Sequence, residues 1–370
     1  MITSLIDCCT TGCADDLWDR FLEQVPSSHY EQTSRWASVK SAEGWKCSRI
    51  RVSVSGALVA GAQILYKDYG HAGRIGYVQN GPVLAGAGAA AKDRILQDIS
   101  DVSRRLKCTY TAVRPPYTAD IGVDLENRGY IRNPGVLPPL HLTDATLMLD
   151  LSKGTDSLMM EMRRTTRQQI RTSLKAGLEF SEGFREEIPV LFDLMAATCA
   201  RRGEVPIPPS SGHFENIWDH FHTEGWCRIF LVRKDAGIVC CGFVFTFGDT
   251  VRFWKYGWSG EYASVCPNYF LYWKLIEWAQ RNGFRHFDIM QVDPGIARAL
   301  KENTPITPEL ASNRIYGPTL FKIGFGGNIV EYPGTYYRFR NPLLRRVIPA
   351  ALRSPLVRNW AGRAVRKIQG

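Results

Sequence analysis

The sequence of 370 residues contains no apolar run long enough to cross a membrane. A spanning helix needs roughly 18 or more consecutive apolar residues, and no window of the chain supplies them. The first segment, Met1 to Gly12, also lacks a basic flank followed by a long apolar run, so it does not resemble a secretion signal. We therefore expect a cytoplasmic protein that can also bind peripherally at the inner face of a membrane.

Self-sufficient catalytic motifs are missing as well. The chain has no Gly-x-Ser-x-Gly elbow, no Walker phosphate loop and no His-Glu-x-x-His pair, and Gly86-Ala87-Gly88 lacks the spacing of a dinucleotide-binding loop. Its seven histidines are scattered, and its ten cysteines show no metal-ligand spacing. These absences argue against serine hydrolases, P-loop nucleotidases, zinc proteases and dinucleotide enzymes. We expect no metal and no bound cofactor.

Acidic residues are absent after Glu331, although the remaining residues include nine basic ones. The formal net charge of the whole chain is +10, so the rest of the chain is nearly neutral. A basic terminal extension of this kind is typical of proteins that meet the phosphates of RNA or of a membrane surface. Apolar residues at helical spacing in the segment 341–370 favour a basic helical tail. A helix packed on the preceding domain, with its arginines outward, explains the pattern equally well.

The length of the chain predicts two globular domains, and the sequence repeats itself. Glu43-Gly44-Trp45 opens one copy of the repeat and Glu224-Gly225-Trp226 opens the other. In each copy three strand-like segments are followed by a long amphipathic helix and a further strand. Chance agreement between two ordinary α+β stretches is the alternative. We predict domains at 1–145 and 146–340 and a tail at 341–370, with Asp144 to Glu182 joining the two copies.

A basic stripe lies in that joining segment. Arg164, Arg167, Arg171 and Lys175 follow one another at three- and four-residue spacing, which places them on one face of a helix. Such a run usually forms a solvated helix face. The alternative is a surface that binds RNA or other phosphates.

The order of the repeated elements predicts an α+β fold with two tandem GNAT-like domains, in which a mixed or antiparallel sheet is flanked by helices. Enzymes of this class hold an activated acyl group beside an amine, and positioning alone can contribute about 7–11 kcal/mol to catalysis. A GNAT enzyme that uses coenzyme A usually grips its pyrophosphate with a glycine-rich loop before the main helix. In the second copy that place is Tyr262 to Tyr269, which contains no glycine. The loop therefore argues against coenzyme A as the donor.

The segment Gly317 to Gly327 has Lys322 as its one charge. Phe321 and Phe325 are four residues apart and share one face of a short helix, which Pro318 can open and Gly326-Gly327 can close. Lys322 points away from that face and can present its ammonium to a cleft. A surface lysine beside a turn is the alternative interpretation.

This segment resembles the Phe-Lys-x-x-Phe-Gly-Gly signature near the C-terminus of the Fem family, the aminoacyl-tRNA-dependent transferases that build peptidoglycan cross-bridges. The resemblance extends over nearly the whole chain through further short motifs. These are Gln32-Thr33-Ser34-x-Trp36-x3-Lys40, Tyr77-x2-Asn80-Gly81-Pro82-Val83, Arg167-x2-Ile170-Arg171-x3-Lys175-x-Gly177, Tyr256-Gly257-Trp258-Ser259 and the stretch from Trp273 to Asp288. Trp258 stands where we expect a small residue, and the long helical arm of some family members has no counterpart.

The resemblance implies an aminoacyl-tRNA donor and a muramyl-peptide or lipid-linked acceptor with a free amine. It implies catalytic roles for Lys322, beside the reacting centre, and Asp288, which could help to deprotonate the amine. It also implies acceptor binding by Lys40 and Tyr256, and we add Trp36 and Phe321 to the candidate substrate-binding residues. A structural role for Asp288 at a strand end is the alternative.

Two other functions stay open from the sequence. One is a coenzyme A-dependent N-acyltransferase in surface polysaccharide synthesis, against which the missing glycine loop counts. The other is a non-catalytic basic protein that binds RNA or membranes, against which the presence of Lys322, Lys40 and Tyr256 counts.

Overall fold

A computed structural model describes residues 2–9, 14–26, 28–70, 73–133 and 144–341, together with Leu343, Val347 and Ser354. By its internal contacts the chain divides into two compact units. Met1–Leu142 together with Tyr332–Gly370 form the first unit, and Thr143–Glu331 forms the second. None of the helices in the described ranges has the length and apolar character that crossing a membrane requires.

The first unit is a mixed sheet flanked by helices. Numbered along the whole chain, its strands are β1 (Ile2–Cys9), β2 (Lys46–Val54), β3 (Ala57–Asp68), β4 (Arg74–Gln79), β5 (Val83–Leu84), β6 (Cys108–Arg114), β7 (Ile131–Arg132) and β15 (Tyr336–Phe339), and its helices are α1 (Asp16–Gln24), α2 (Ser34–Ser41), α3 (Ala89–Arg105) and α4 (Gly122–Asn127). The strand order is β1-β2-β3-β4-β6-β15-β7, with β5 beside β3. Within this order β4 and β6 run parallel.

Helix α3 covers the core of the first unit. Its Ile95, Ile99 and Val102 lie at helical spacing and are fully or almost fully buried. They belong to one hydrophobic cluster with residues of the central strands, including Ile50 of β2 and Ile64 of β3. This apolar stripe explains why a helix forms between β5 and β6.

Gln32 ties the segment before α2 to the sheet. Its side-chain amide donates to the Gln79 carbonyl oxygen at 2.6 Å, and its side-chain oxygen accepts the Gln63 backbone N–H at 2.8 Å. A Cβ atom at Gly81 would lie 2.8 Å from the Gln32 side chain, so only glycine fits there. Two of the motifs that resemble the Fem family thus form one structural contact.

The second unit is also a mixed sheet with helices. Its strands are β8 (Ala145–Asp150), β9 (Glu179–Gly183), β10 (Cys227–Lys234), β11 (Gly237–Phe247), β12 (Thr250–Trp258), β13 (His286–Val292) and β14 (Asn328–Glu331), and its helices are α5 (Thr155–Glu161), α6 (Arg164–Leu174), α7 (Ile188–Ala200), α8 (Ser211–Phe221), α9 (Pro267–Arg281), α10 (Pro294–Glu302), α11 (Pro308–Ala311) and α12 (Tyr316–Ile323). The strand order is β14-β8-β13-β12-β11-β10-β9. Helix α9 contributes Phe270, Leu271 and Leu275 to the buried cluster of this unit.

The predicted internal repeat is confirmed by the topology of the two units. Each contains an antiparallel three-stranded meander, β2-β3-β4 or β10-β11-β12. A long helix, α3 or α9, then leads to a strand that pairs in parallel with the third strand of the meander. The α+β fold class with two GNAT-like units is therefore correct.

The segment joining the two copies carries β8 and β9, which are strands of the second sheet, in agreement with a second domain that begins near residue 146. Two details of the predicted organisation are wrong. Residues 332–339 do not belong to the second domain, since β15 pairs with β6 and β7 of the first unit. Helix α12 begins at Tyr316, so Pro318 lies inside its first turn rather than at its start. The predicted tail lies almost entirely outside the described residues.

A close contact of β12 with α7 requires glycine at position 257. A Cβ atom there would lie 2.7 Å from both the Leu194 Cβ and the Met195 backbone nitrogen. We expect Gly257→Ala to lower the free energy of unfolding by about 1–3 kcal/mol, because helix and strand must move apart. Chemical denaturation measures this change. Gly317→Ala is the matched control, because a Cβ atom there meets no atom within 4 Å, and it should not lower the free energy of unfolding. Equal stability of the two variants would contradict the packing of β12 on α7.

Candidate active site

The parallel pairing of β12 and β13 ends after three residue pairs. The pairs are Thr250 with His286, Val251 with Phe287 and Arg252 with Asp288, and within the described chain the two strands share no pair beyond them. Both strands continue, β12 to Trp258 and β13 to Val292. The strands therefore diverge, and the backbone groups that face the gap have no ladder partner across it.

A bulge on each strand accompanies this divergence. The register of β12 with β11 shifts between Phe243 and Val244, which leaves Trp254 as an extra residue. The register of β13 with β8 shifts after Asp288, and Met290 has a positive φ of 66° there. Positive φ is unfavourable for a long side chain, and bulges with such geometry are common beside active sites.

Lys322 places its ammonium at this gap. Its Nζ donates a hydrogen bond to the Gln291 carbonyl oxygen on β13, at 2.8 Å. Removal from water lowers the pKa of the Lys322 ammonium from 10.5 to about 8; Arg202 and Lys255 lower it further, whereas Asp288 acts in the opposite direction. The predicted catalytic lysine is thus a partly buried cation at a strand edge and not a surface lysine.

Aromatic packing and close glycine contacts hold α12 in place. The Phe321 ring lies 5.0 Å from the rings of both Tyr269 and Tyr272 on α9 and 5.3 Å from that of Phe325. A Cβ atom at Gly327 would lie 2.7 Å from the Met148 carbonyl oxygen, and Gly327 has a φ of 79°. These contacts explain the Phe-Lys-x-x-Phe-Gly-Gly pattern: the aromatic residues and glycines seat the helix that carries the lysine.

Asp288 is buried beneath the gap. Its carboxylate accepts hydrogen bonds from the Thr146 hydroxyl and, at 2.7 Å, from the Met290 backbone N–H. Burial raises the pKa of the Asp288 carboxyl, and the Arg252 guanidinium and the Lys322 ammonium act against that rise. This arrangement fits a carboxylate that fixes the β13 bulge and holds the charge of Lys322 better than it fits one that receives a proton from a substrate.

Tyr256 lies on the α9 side of β12. Its hydroxyl donates to the Asn268 side-chain oxygen at the start of α9, and its ring packs against Phe253 and Tyr272. Burial raises the pKa of the Tyr256 hydroxyl well above its ordinary value, so the group stays protonated. The structure brings Lys322, Phe321, Tyr256 and Asp288 into one region of the second unit.

The other two candidate substrate-binding residues belong to the first unit. The Lys40 ammonium forms an ion pair with the Glu43 carboxylate and lies 5.7 Å from the centre of the Trp36 ring. Trp36 is 6% exposed and its ring meets that of Tyr30 edge-on at 5.4 Å. In this structure Lys40 is therefore already paired, and Trp36 acts as part of the core.

The basic stripe on α6 is only partly free. Arg164, Arg171 and Lys175 are exposed, and none of them forms an ion pair with a residue in the described ranges. Arg167 instead donates to the Met160 and Met162 carbonyl oxygens, at 3.1 and 2.7 Å, and so caps the end of α5. Three of the four predicted phosphate-binding residues thus remain available on the surface.

Lys255 is a residue of this region that the sequence analysis missed. It stands between Trp254 and Tyr256 in an apolar strand, which was the available signal. Removal from water lowers the pKa of the Lys255 ammonium from 10.5 to about 8. It lies within electrostatic reach of Lys322.

Comparison with known proteins agrees with this architecture. The description of the FemAB family matches residues 14–124, and that of an acetyltransferase (GNAT) domain matches residues 160–295. The lipid II:glycine glycyltransferase of Staphylococcus aureus is 26% identical over 227 residues, which are 59% of this chain and 53% of that protein. The chain thus spans about half the length of the curated relatives that it matches.

Solved structures share the fold. The crystal structure of FemX superposes with a TM-score of 0.79 at 19% identity, covering 93% of this chain and 99% of that one. A conserved protein of unknown function from Bacteroides thetaiotaomicron gives a TM-score of 0.53 at 12% identity, covering 90% and 98%.

Fold and site together define a protein built from two GNAT-like units in tandem. With the FemAB match in its first unit, the chain is similar to the Fem family.

Proposed function

We propose that this chain is an aminoacyl transferase that moves an amino acid from aminoacyl-tRNA to an amine of a peptidoglycan precursor, of the lipid II or UDP-muramyl-peptide type. The single observation that carries the proposal is the half-buried ammonium of Lys322, hydrogen-bonded to the Gln291 carbonyl oxygen at the gap between β12 and β13 of a GNAT-like unit. The match to the FemAB family over residues 14–124 and the printed activity of the staphylococcal relatives support the choice of acceptor.

The reaction converts an ester and an amine into an amide and an alcohol. The amine nitrogen attacks the ester carbonyl, negative charge develops on the carbonyl oxygen, and the bond to the ribose oxygen then breaks. An ammonium held in a partly dehydrated place stabilises such developing charge more than it would in water. Lys322 is that group in this proposal, with Asp288 as the buried carboxylate that holds its charge.

The donor in this proposal is a charged tRNA, and no separate cofactor is required. The loop between β12 and α9 has one glycine, Gly260, but the five residues directly before α9, Tyr262 to Cys266, contain none, and Tyr262 and Cys266 both have positive φ. It forms a 3₁₀ turn over Ala263–Val265 rather than a glycine-rich cradle for a pyrophosphate. Arg164, Arg171 and Lys175 on α6 offer exposed positive charge for an RNA backbone.

The acceptor would bind through the remaining candidate residues. Tyr256 and Phe321 line the same region as Lys322, whereas Lys40 would have to exchange its partner Glu43 for an acceptor phosphate, beside Trp36. Contact of the basic tail with the inner face of the membrane would bring the enzyme to a lipid-linked acceptor.

A second candidate function is coenzyme A-dependent N-acyl transfer, which the match to an acetyltransferase domain favours. Lys322 would have the same role in that reaction, because negative charge again develops on the carbonyl oxygen of the acyl group. The two candidates differ in the donor alone.

Replacing Lys322 tests the site. Lys322→Ala should lower the rate of aminoacyl transfer about 10²–10³-fold, because loss of one preorganised electrostatic contact costs about 2.7–4 kcal/mol in the barrier. Transfer of a radiolabelled amino acid from tRNA to a muramyl-pentapeptide precursor measures the rate. Lys274→Ala, which removes a lysine paired with Glu277 on α9, is the control and should leave the rate unchanged. An unchanged rate in Lys322→Ala would rule out this assignment.

Salt dependence tests the basic stripe. For the wild-type protein, kcat/KM for charged tRNA should fall steeply with added salt, because bound phosphates release counterions. Combined replacement of Arg164, Arg171 and Lys175 by Ala should flatten the slope of log kcat/KM against log salt by up to about 3. A control with the same loss of charge replaces Arg20, Arg105 and Lys107, all exposed on the first unit. Identical slopes in the two triple variants would show that α6 does not contact the donor.

A further inference from the structure

A cavity of about 440 Å³ lies in the second unit, at the C-terminal end of α12. Leu300 of α10 and Ile323 of α12 supply apolar surface to its lining. A volume of this size is within the range of roughly 300–1,000 Å³ that small-ligand sites in proteins have. The residues assigned above to the reaction and to the basic stripe do not line it, so the cavity is an additional feature of this unit.

Two cations line the cavity, and a backbone carbonyl group holds each of them. The Arg163 guanidinium donates to the Leu300 carbonyl oxygen at 3.0 Å, and the Lys301 ammonium donates to the Gly327 carbonyl oxygen. Each bond uses one hydrogen of its cation, so further N–H donors remain for a ligand. No carboxylate in the described ranges forms an ion pair with either cation.

The charge of these two cations is not neutralised, although ion pairs form close by. Glu161 also lines the cavity, but its carboxylate pairs with Lys153 at 2.5 Å. Arg298, one turn before Lys301 on α10, pairs with Glu331. Partial burial lowers the pKa of the Lys301 ammonium from 10.5, and Glu161 acts against this shift. Lys301 has therefore lost part of its hydration without a carboxylate in contact with it, so an anionic ligand would stabilise its charged form.

The cavity lies next to both elements that the proposed reaction uses. Arg163 directly precedes α6, and the basic stripe of that helix extends about 18 Å from it to Lys175. Ile323 directly follows Lys322 on α12, so their Cα atoms are about 3.8 Å apart. An RNA backbone bound along α6 would thus reach the cavity beside the helix that carries the candidate catalytic lysine.

We propose that this cavity binds a backbone phosphate of the RNA donor, near its aminoacylated end, between Arg163 and Lys301; this inference rests on the proposed function. The phosphate oxygens accept charge-assisted hydrogen bonds from the guanidinium and the ammonium. The attached sugar or base packs on Leu300 and Ile323. No bond forms or breaks in the cavity, so both cations are positioning residues that help to place the ester beside Lys322.

A lipid phosphate offers the same oxygen atoms, but the basic stripe favours RNA. A lipid headgroup carries its phosphate charge at one place, whereas an RNA strand carries phosphates at regular intervals along its length. Only the strand can contact the cavity and the far end of α6 at the same time. RNA is therefore the occupant that this row of charges fits.

Binding of a fluorescent single-stranded RNA that ends in CCA, the 3′ end shared by tRNAs, tests the cavity without any transfer reaction. In Arg163→Gln/Lys301→Gln the Kd should rise about 10–100-fold, because hydrogen bonds between charged groups are lost. Arg298→Gln/Lys274→Gln removes the same charge outside the cavity and should leave the Kd unchanged. Lys301→Gln alone changes an exposed side chain, should give a smaller rise, and replaces the double variant if that variant does not fold. Equal Kd values in the two double variants would overturn the inference.

Single neutral linkages in the same RNA locate the contact. A methylphosphonate at the phosphate that occupies the cavity should weaken binding to the wild-type protein. The same linkage should cost no further affinity in Arg163→Gln/Lys301→Gln, because the interaction is already absent there. Methylphosphonates at other positions should weaken binding of both proteins equally. If every linkage has the same effect in both proteins, the cavity does not bind an RNA phosphate.

Two further measurements separate this inference from its alternatives. The double variant should sediment with phosphatidylglycerol vesicles as the wild-type protein does; loss of vesicle binding with unchanged RNA binding would assign the cavity to a lipid phosphate and overturn the inference. If the wild-type protein transfers an amino acid from tRNA but no linkage depends on the two cations, the cavity assignment fails and the proposed function stands. If one linkage depends on them but no amino acid is transferred, the proposed function fails and the cavity remains an RNA-binding site.

Discussion

The divergence of β12 from β13 is the constraint on which the candidate site depends. After Arg252 and Asp288 the two strands cease to pair, and the Gln291 carbonyl oxygen of β13 accepts a hydrogen bond from the Lys322 ammonium. Buried Asp288 fixes the β13 bulge through its bond to the Met290 N–H, and the seating of α12 by Phe321 and the glycines brings the lysine to the gap. If the strands paired along their full length, this place for the ammonium would not exist.

The two units differ in how far the corresponding pair of parallel strands stays paired. In the first unit β4 and β6 remain paired through the end of β4, from Arg74 with Cys108 to Gln79 with Arg114. The same topology is thus closed in the first unit and open in the second. In a duplicated fold one copy can have a purely structural role, while the gap between two strands of the other copy holds a partly buried charged side chain.

Much of this architecture was predictable from the sequence because apolar periodicity and turn residues fix the meander, the long helix and the following strand in both copies. The short helix that carries Lys322 was predictable from its motif. The ion pair of Lys40 with Glu43 and the hydrogen bond from Arg167 to the end of α5 were not predictable from the sequence. The contacts of a long basic side chain depend on which groups the folded structure brings near it. Lys255 was missed because a bulge breaks the two-residue alternation on which strand predictions rest. Strand β15 was assigned to the wrong domain, because four residues carry no signal of the sheet that they join.

The central claim is that Lys322 acts on an aminoacyl ester carried by tRNA. The most direct measurement supplies the purified protein and a muramyl-pentapeptide precursor with either radiolabelled aminoacyl-tRNA or radiolabelled acetyl-coenzyme A, each with and without ribonuclease. Our account predicts that label reaches the acceptor amine from aminoacyl-tRNA alone and that ribonuclease treatment of the donor abolishes it. Label transferred from acetyl-coenzyme A, or transfer that survives the ribonuclease, would contradict it.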